Sequence, residues 1–356
     1  MDPRAHDQDP LVSIVITSYN RAHFIGQAIE SALAQDYPNL EIIISDNYST
    51  DNTGEVIKRY THDPRIKYFI NASNIGMIPN FIRATYELAK GKYISFLSSD
   101  DYLVNHTFIS EAVKRINLYP GIHVVTGIIV AEVTRYKHLF QAKPYTFYKD
   151  SFYKMPFVPG KAVFLQFPDC PSMSYAGTLM NREGLVKLDA SVYAPVSFDM
   201  QHILQLLLTG DAAFIEKDTY VARIHGENAT SGVTKAQVHI NNLVYIDIAY
   251  QDALKNKRFD QAVLEKWKAD MLFHICLSCL RYHYRQGRKE YQLFAAYVKK
   301  QYPAVYKRIR ETREWKLYYF VFAIPPLGKT LVHIKNYLGQ LKRTVKKEKT
   351  KVQTSY

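Results

Sequence analysis

Two runs of the sequence end in polar and acidic residues where a buried strand would stop: IIISDNYSTDNT over residues 42–53 and FLSSDDYL over residues 96–103. In the second run, Asp100 and Asp101 form a carboxylate pair able to hold a divalent cation. Hard ions such as Mg²⁺ take one or two carboxylates and complete their shell with phosphate oxygens and water. A plainer role for Asp101 is to cap the helix expected over 105–118. In the first run, Asp46 offers acceptors, while the Asn47 amide both accepts and donates. A third acid, Asp199, opens the apolar helical stripe FDMQHILQLLLTG. The helix dipole favours an acid there on its own account, and a general base can stand at the same place. The segment ARIHGENATS adds Arg223 and His225.

These groups need a scaffold. LVSIVIT (11–17), LEIIIS, RIKYFI and KYISFL are apolar runs of strand length. Between them lie AHFIGQAIESALAQ (22–35), a short helical stretch to Tyr60, and IPNFIRATYELAK, with NHTFISEAVKRINLY after the last. Strands alternating with helices of this length imply right-handed crossovers and a parallel sheet covered on both faces. Ligands of such sheets bind beyond the carboxyl ends of the strands. Every strand end here is polar: Thr17, Ser18, Tyr19 and Asn20; Asp46 and Asn47; Asn71 to Gly76; Ser98 to Asp101. Neither G-x-G-x-x-G nor G-x-x-x-x-G-K-[ST] occurs, so a dinucleotide cradle and a P-loop are excluded.

The segments VSIVITSYNRAHFIGQAIESALAQDYPNLEIIISDNYSTDNT, NIGMIPNFIRA and GKYISFLSSDDYL, in this order and spacing over residues 11–120, resemble family 2 glycosyltransferases. These are inverting enzymes of the GT-A fold, including the SpsA-like and many bacterial surface-polysaccharide transferases. The resemblance implies a Rossmann-like α/β fold with a mostly parallel central sheet. It implies that Thr17 and Tyr19 meet the nucleotide base, Tyr19 by stacking, with Ser18, Asn20, Asn74 and Ser99 lining the same site. The family's acidic pair after the second strand is Asp46-Asn47 here, an amide replacing the second acid, and uridine is the expected base. The family's D-x-D stands as Ser98-Ser99-Asp100, without its first aspartate. Asp100 is then the residue on Mn²⁺ or Mg²⁺, with Asp101 and His225 beside it, and Ser98 and Arg223 toward the sugar and diphosphate. Asp199 matches the family's general base.

The expected organisation is a tail (1–10), a GT-A domain (11–234, its nucleotide half to 120 and its acceptor half from 121), a mostly helical region (235–340) and a basic tail (341–356). The aromatic, lysine-rich stretch TRYKHLFQAKPYTFYKDSFYKMPFVPG reads as an irregular insertion, a lining for a sugar site or simply a cover for the core. AAFIEKDTYVARIHG reads as a pair of strands. A net charge of +13 collects toward QLKRTVKKEKTKVQ, behind the aromatic stretch WKLYYFVFAIPPLG. With no RNP-like or zinc-finger pattern, the charge points to an anionic membrane surface and not to nucleic acid. No leader-like apolar segment opens the chain, and no run reaches the ~18 apolar residues of a spanning helix. The expectation is therefore a cytoplasmic protein, peripheral on the inner face of the plasma membrane. Only three cysteines occur, and Cys276-x-x-Cys279 lies in an apolar helical stretch. That reads as two small core residues in a reducing compartment, not as a redox or zinc site.

The reading that follows is an inverting transfer from a nucleotide sugar, UDP-linked by expectation, to a glycan or lipid-linked oligosaccharide acceptor. A sugar-nucleotide pyrophosphorylase would need a glycine-rich basic loop after the first strand, where TSYNRAHFIG stands. A catalytically degenerate transferase domain serving as a membrane-associated interaction subunit is the other alternative.

Overall fold

A computed structural model describes residues 9–133, 150–169, 173–188, 197–225, 235–313 and 315–316. The chain divides into two compact units, one of Met1–Val233 with Asn241–Met271 and the other of Thr234–Ile240 with Leu272–Tyr356.

The first unit begins as the sequence pattern requires. β1 (Val12–Ser18) is followed by α1 (Ile25–Leu33), β2 (Leu40–Asp46), α2 (Thr53–Lys58), β3 (Ile66–Ile70), α3 (Met77–Ile82), β4 (Tyr93–Ser98), β5 (Tyr102–Leu103) and α4 (Phe108–Leu118). β1, β2 and β4 are mostly apolar and buried on both faces because helices cover both faces. α1 buries Ile25, Ala28, Ile29 and Ala32, and α4 buries Phe108, Ile109, Ala112, Val113 and Ile116. Each large apolar side chain enclosed this way contributes roughly 1.5–3 kcal/mol relative to exposure.

Farther on come β6 (Ile122–Val133), α5 (Asp150–Tyr153), α6 (Gly160–Gln166), β7 (Thr178–Asn181), α7 (Arg182–Val186), α8 (Phe198–Leu207) and β8 (Asp211–Ile224). One sheet of eight strands results, in the order β3-β2-β1-β4-β7-β6-β8-β5. The block β3-β2-β1-β4 is parallel, as expected, and β7 joins antiparallel to both β4 and β6. The architecture is a mostly parallel α/β sheet with flanking helices, as the resemblance implies.

Three local expectations are corrected. Residues 211–224 form one strand instead of a pair. Its register against β6 jumps from Thr126↔Phe214 to Ile128↔Asp218, so the polar run Glu216-Lys217-Asp218 bulges outward without ending it. The helix expected over 78–90 changes to a π-helix over Arg83–Leu88, where Arg182 takes the carbonyls of Thr85 and Tyr86 at 3.1 and 3.0 Å. Directly after Asp101 the chain forms the short β5 against β8 before the helix begins.

The helices after residue 235 are α9 (Ala236–Asn242), α10 (Val244–Lys255), α11 (Gln261–Gln286), α12 (Arg288–Gln301) and α13 (Pro303–Glu311). Within the second unit, Phe294 is fully enclosed and faces the His283 ring at 5.4 Å, and Arg308 lies over the Phe273 ring at 3.9 Å. Cys276 is buried, and burial pushes the Cys279 thiol up to about 12. Among the described residues no helix is long and apolar enough to cross a membrane. The expected basic tail, most of the aromatic insertion and the apolar stretch from 317 lie outside the described residues.

Candidate functional site

Register sets the site. Thr17 pairs with Ser45 on one side and Ser98 on the other, Ser18 pairs with Asp46, and Asp46 with Ile70. The residues leaving these strands therefore emerge along one edge. Thr17 is half-buried, Tyr19 and Tyr48 are exposed, and Ser18 is buried with no hydrogen-bond partner for its hydroxyl among the described residues. The loops after β1 and β2 are tied to each other. Asn20 N donates to Ser49 Oγ at 2.9 Å, Thr50 N to Asn20 Oδ1 at 2.8 Å, and Arg21 N to Thr53 Oγ1 at 2.8 Å. Asn20 and Tyr48 sit at φ of 52° and 66°, so both loops turn through the left-handed region.

Asp46 and Asn47 are buried and engaged within the fold. Asp46 accepts from Ser49 N and Oγ at 2.9 and 2.6 Å and from the Tyr68 hydroxyl at 3.0 Å. Asn47 Oδ1 accepts from Asn71 Nδ2 and Ile75 N, both at 2.9 Å, while its Nδ2 donates to Asn74 Oδ1 at 2.8 Å. Asn74 Oδ1 also accepts from Gly76 N at 2.9 Å. The amide that replaces the family's second acid thus shapes the loop after β3.

At the end of β4, Ser98 is exposed while Ser99 and Asp100 are buried. Asp100 Oδ2 lies 3.2 Å from His225 Nε2 and 3.7 Å from Arg21 Nε. His225 stacks on Phe24 with centroids 4.8 Å apart. Asp101 points elsewhere: Oδ2 accepts from the Tyr220 hydroxyl at 2.7 Å and Oδ1 from Arg223 N at 2.8 Å. Burial, and then the neighbouring Asp100, raise the Asp101 carboxyl to about 6. The Arg223 guanidinium is buried, bonded to Asp100 O at 2.9 Å and to Gln27, near Glu132 at 3.7 Å, and placed over the rings of Tyr102 and Phe24. Sequence reasoning singled out Asp101 for the metal and Arg223 for the diphosphate; both are committed to internal partners here. It missed Arg21, Phe24 and Tyr220, whose roles appear only once β8 is placed beside β5.

No group of three or more metal-ligating side chains gathers among the described residues. Asp100 and His225 nevertheless fit a cation that takes few protein ligands and completes its shell on a diphosphate. Asp199 stands in the first turn of α8, its Oδ1 accepting from Met200 N at 2.8 Å. Phe198 packs on Phe81 and Tyr175 at 4.9 and 5.6 Å, and Tyr175 stacks on Phe96 of β4 at 4.6 Å. This aromatic cluster brings the start of α8 against β4. Ser197 is held by Asn242, which accepts from its N at 2.9 Å and donates to its Oγ at 2.8 Å. Burial raises the Asp199 carboxyl to about 6, against the lowering effect of surrounding backbone N–H groups and the Ser174 hydroxyl. That suits a base working near neutral pH.

The sequence model of the family described as Glycosyl transferase family 2 matches residues 13–184. Those residues are a family 2 glycosyltransferase domain. The chain is 46% identical over 95 residues to a chondroitin synthase of Pasteurella multocida, covering 26% of this chain and 10% of that protein. It is 37% identical over 128 residues to the UDP-Glc:alpha-D-GlcNAc-diphosphoundecaprenol beta-1,3-glucosyltransferase WfaP of Escherichia coli, covering 35% of this chain and 50% of that one. The chain thus spans half or less of the length of these curated relatives. The crystal structure of S. aureus TarS 1–349 in complex with UDP-GlcNAc superposes with a TM-score of 0.57 at 19% identity, over 74% of this chain and 72% of that one. Its likeness shows the GT-A fold of the glycosyltransferase domain described above.

Proposed function

We propose that this family 2 domain performs an inverting transfer of a sugar from a nucleotide sugar, UDP-linked, to a hydroxyl of a lipid-linked or polysaccharide acceptor. The observation that carries the reading is the meeting of Asp100, His225 and Arg21 at the carboxyl end of β4. Beside it lie an exposed Tyr19 for a base to stack on and a buried Ser18 hydroxyl without an internal partner among the described residues.

Asp100 and His225 would hold Mn²⁺ or Mg²⁺, which offsets the charge that builds on the leaving diphosphate. Arg21 adds a fixed positive charge at the same point. Asp199, ionised above its raised pKa, takes the proton of the acceptor hydroxyl as that oxygen attacks the anomeric carbon opposite the leaving group. We assign Asp46, Asn47, Asn20 and Asn74 the shaping of the nucleotide loops. The catalytic region is read as residues 11–234, the helical remainder as membrane-associating, and the location as peripheral on the cytoplasmic face. Support for the acceptor class comes from WfaP, whose name specifies a diphosphoundecaprenol-linked substrate.

Calorimetric titration with UDP, GDP, CDP and dTDP, each with Mn²⁺ and with EDTA, tests the reading. Metal-dependent binding of UDP alone is expected. Binding of none would turn the assignment to a degenerate domain, and selection of another nucleotide would replace the donor class.

A further inference from the structure

β8 reaches the Ser98–Asp101 turn at two points. The Tyr220 hydroxyl accepts from Ser98 N at 3.2 Å and donates to Asp101 Oδ2 at 2.7 Å. Three residues on, Arg223 N donates to Asp101 Oδ1 at 2.8 Å, and its guanidinium reaches Asp100 O at 2.9 Å. Both ends of the turn are anchored by sheet ladders, β4 on β1 before it and β5 on β8 after it. Tyr220 bridges the interval between those anchors, and the residue is 1% exposed. The same strand then ends at Ile224, so that His225, the next residue, faces Asp100.

We propose that Tyr220 is a positioning residue: its hydroxyl, through Ser98 and Asp101, fixes the turn that presents the Asp100 carboxylate to His225. The inference rests on the reading of Asp100 and His225 as the cation-holding pair. It assigns Asp101 the role of Tyr220's acceptor and not that of a metal ligand. A phenylalanine at 220 keeps the buried ring but leaves Asp101 Oδ2 without its donor in an enclosed place, and Ser98 N without its acceptor at the more open start of the turn. The turn then gains freedom, and a ligand pair loses affinity when the groups that orient it are loosened, typically 10–100-fold.

The test is calorimetric titration of Mn²⁺ into the full chain saturated with UDP, beside titration of UDP in EDTA, for wild type, Tyr220→Phe and Asp101→Ala. Both variants are expected to bind Mn²⁺ roughly 10–100-fold more weakly and to keep the wild-type affinity for UDP in EDTA, which a general loss of structure would not spare. Unchanged Mn²⁺ affinity in Tyr220→Phe overturns the inference, and with Asp101→Ala alone impaired it makes Asp101 a direct ligand. Should Tyr220→Phe not fold, unchanged Mn²⁺ affinity in Asp101→Ala overturns it equally. Wild type that binds UDP but no Mn²⁺ sinks the underlying cation reading together with this one.

Discussion

Asp100 Oδ2 and His225 Nε2 stand 3.2 Å apart although 125 positions separate them in the chain. The first leaves the last strand of the parallel block and the second leaves β8, which the sheet order places three strands away. Their meeting depends on β5, which turns the chain after Asp101 back onto β8.

Removing the carboxylate should therefore remove the metal response. Asp100→Ala is expected to lower kcat/KM by roughly 100-fold or more, the scale of several kcal/mol of lost charge stabilisation. It should also abolish the gain in UDP affinity that Mn²⁺ brings. Calorimetry with and without EDTA checks this, and an Mn²⁺ response that survives would place the cation elsewhere.

As the proposed base, Asp199 should set a pH limb. Its carboxyl is raised to about 6, so the protonated, inactive form takes over below that pH. Turnover is expected to fall about tenfold per pH unit below 6 and to level off above it. The same shift favours folding as pH falls from about 6 toward the ordinary carboxylate range, because the folded chain then holds a proton that the unfolded chain lacks. Acid loss of activity on this limb should hence precede unfolding. A rate profile flat from pH 7 to 5 would remove Asp199 from the role.

Asn47→Asp restores the acid that the family carries after its second strand. In this chain a carboxylate would face Asn74 Oδ1 where the amide now donates at 2.8 Å. The expected result is a loss of about 1–3 kcal/mol of stability with no gain in UDP affinity, read by urea unfolding and calorimetry. Tighter UDP binding without destabilisation would show that Asn47 meets the base directly.

Far from the site, Glu41 ties the amino ends of the sheet. Its buried carboxylate accepts from Ser13 Oγ and Lys67 Nζ, each at 2.6 Å, and from Lys90 N at 2.7 Å. Burial alone would raise its pKa, but bonds from Lys67, Ser13 and Lys90 outweigh it and hold the group below its usual range. Its stabilising effect is present above the unfolded value near 4.5 and is lost as pH falls through the lower folded value. Glu41→Ala should cost roughly 3 kcal/mol at neutral pH and lower Tm by about 6–12 °C. A Tm within about 2 °C of wild type would show that the network contributes little.

The parallel half of the fold was legible because its strands are near-continuous apolar runs with polar ends, and burial on both faces leaves no other pattern. The places of Asp100 just past β4 and of Asp199 in the first turn of α8 were legible for a similar reason, each lying at an element boundary with its own periodic signal. Arg21 and Tyr220 were not. Arg21 follows Tyr19 and Asn20 in a loop without periodicity, and Tyr220 reads as one more apolar strand residue until its hydroxyl is seen between Ser98 and Asp101. The single strand over 211–224 was hidden by Glu216-Lys217-Asp218, whose charges mimic a turn while the chain bulges. The fates of Asp101 and Arg223 were hidden by their side-chain types, since a carboxylate and a guanidinium serve ligands and internal networks equally well.

The central claim is sugar transfer with Asp199 as the base, and the most direct measurement is transfer of labelled sugar from UDP-sugars to GlcNAc-diphosphoundecaprenol and related lipid-linked acceptors, comparing wild type with Asp199→Asn. The account predicts Mn²⁺-dependent transfer by wild type. It predicts a 10²–10⁴-fold lower kcat in the variant, with UDP affinity retained. Transfer that Asp199→Asn leaves unchanged, or no transfer from any nucleotide sugar by a wild-type chain that binds UDP, would contradict it.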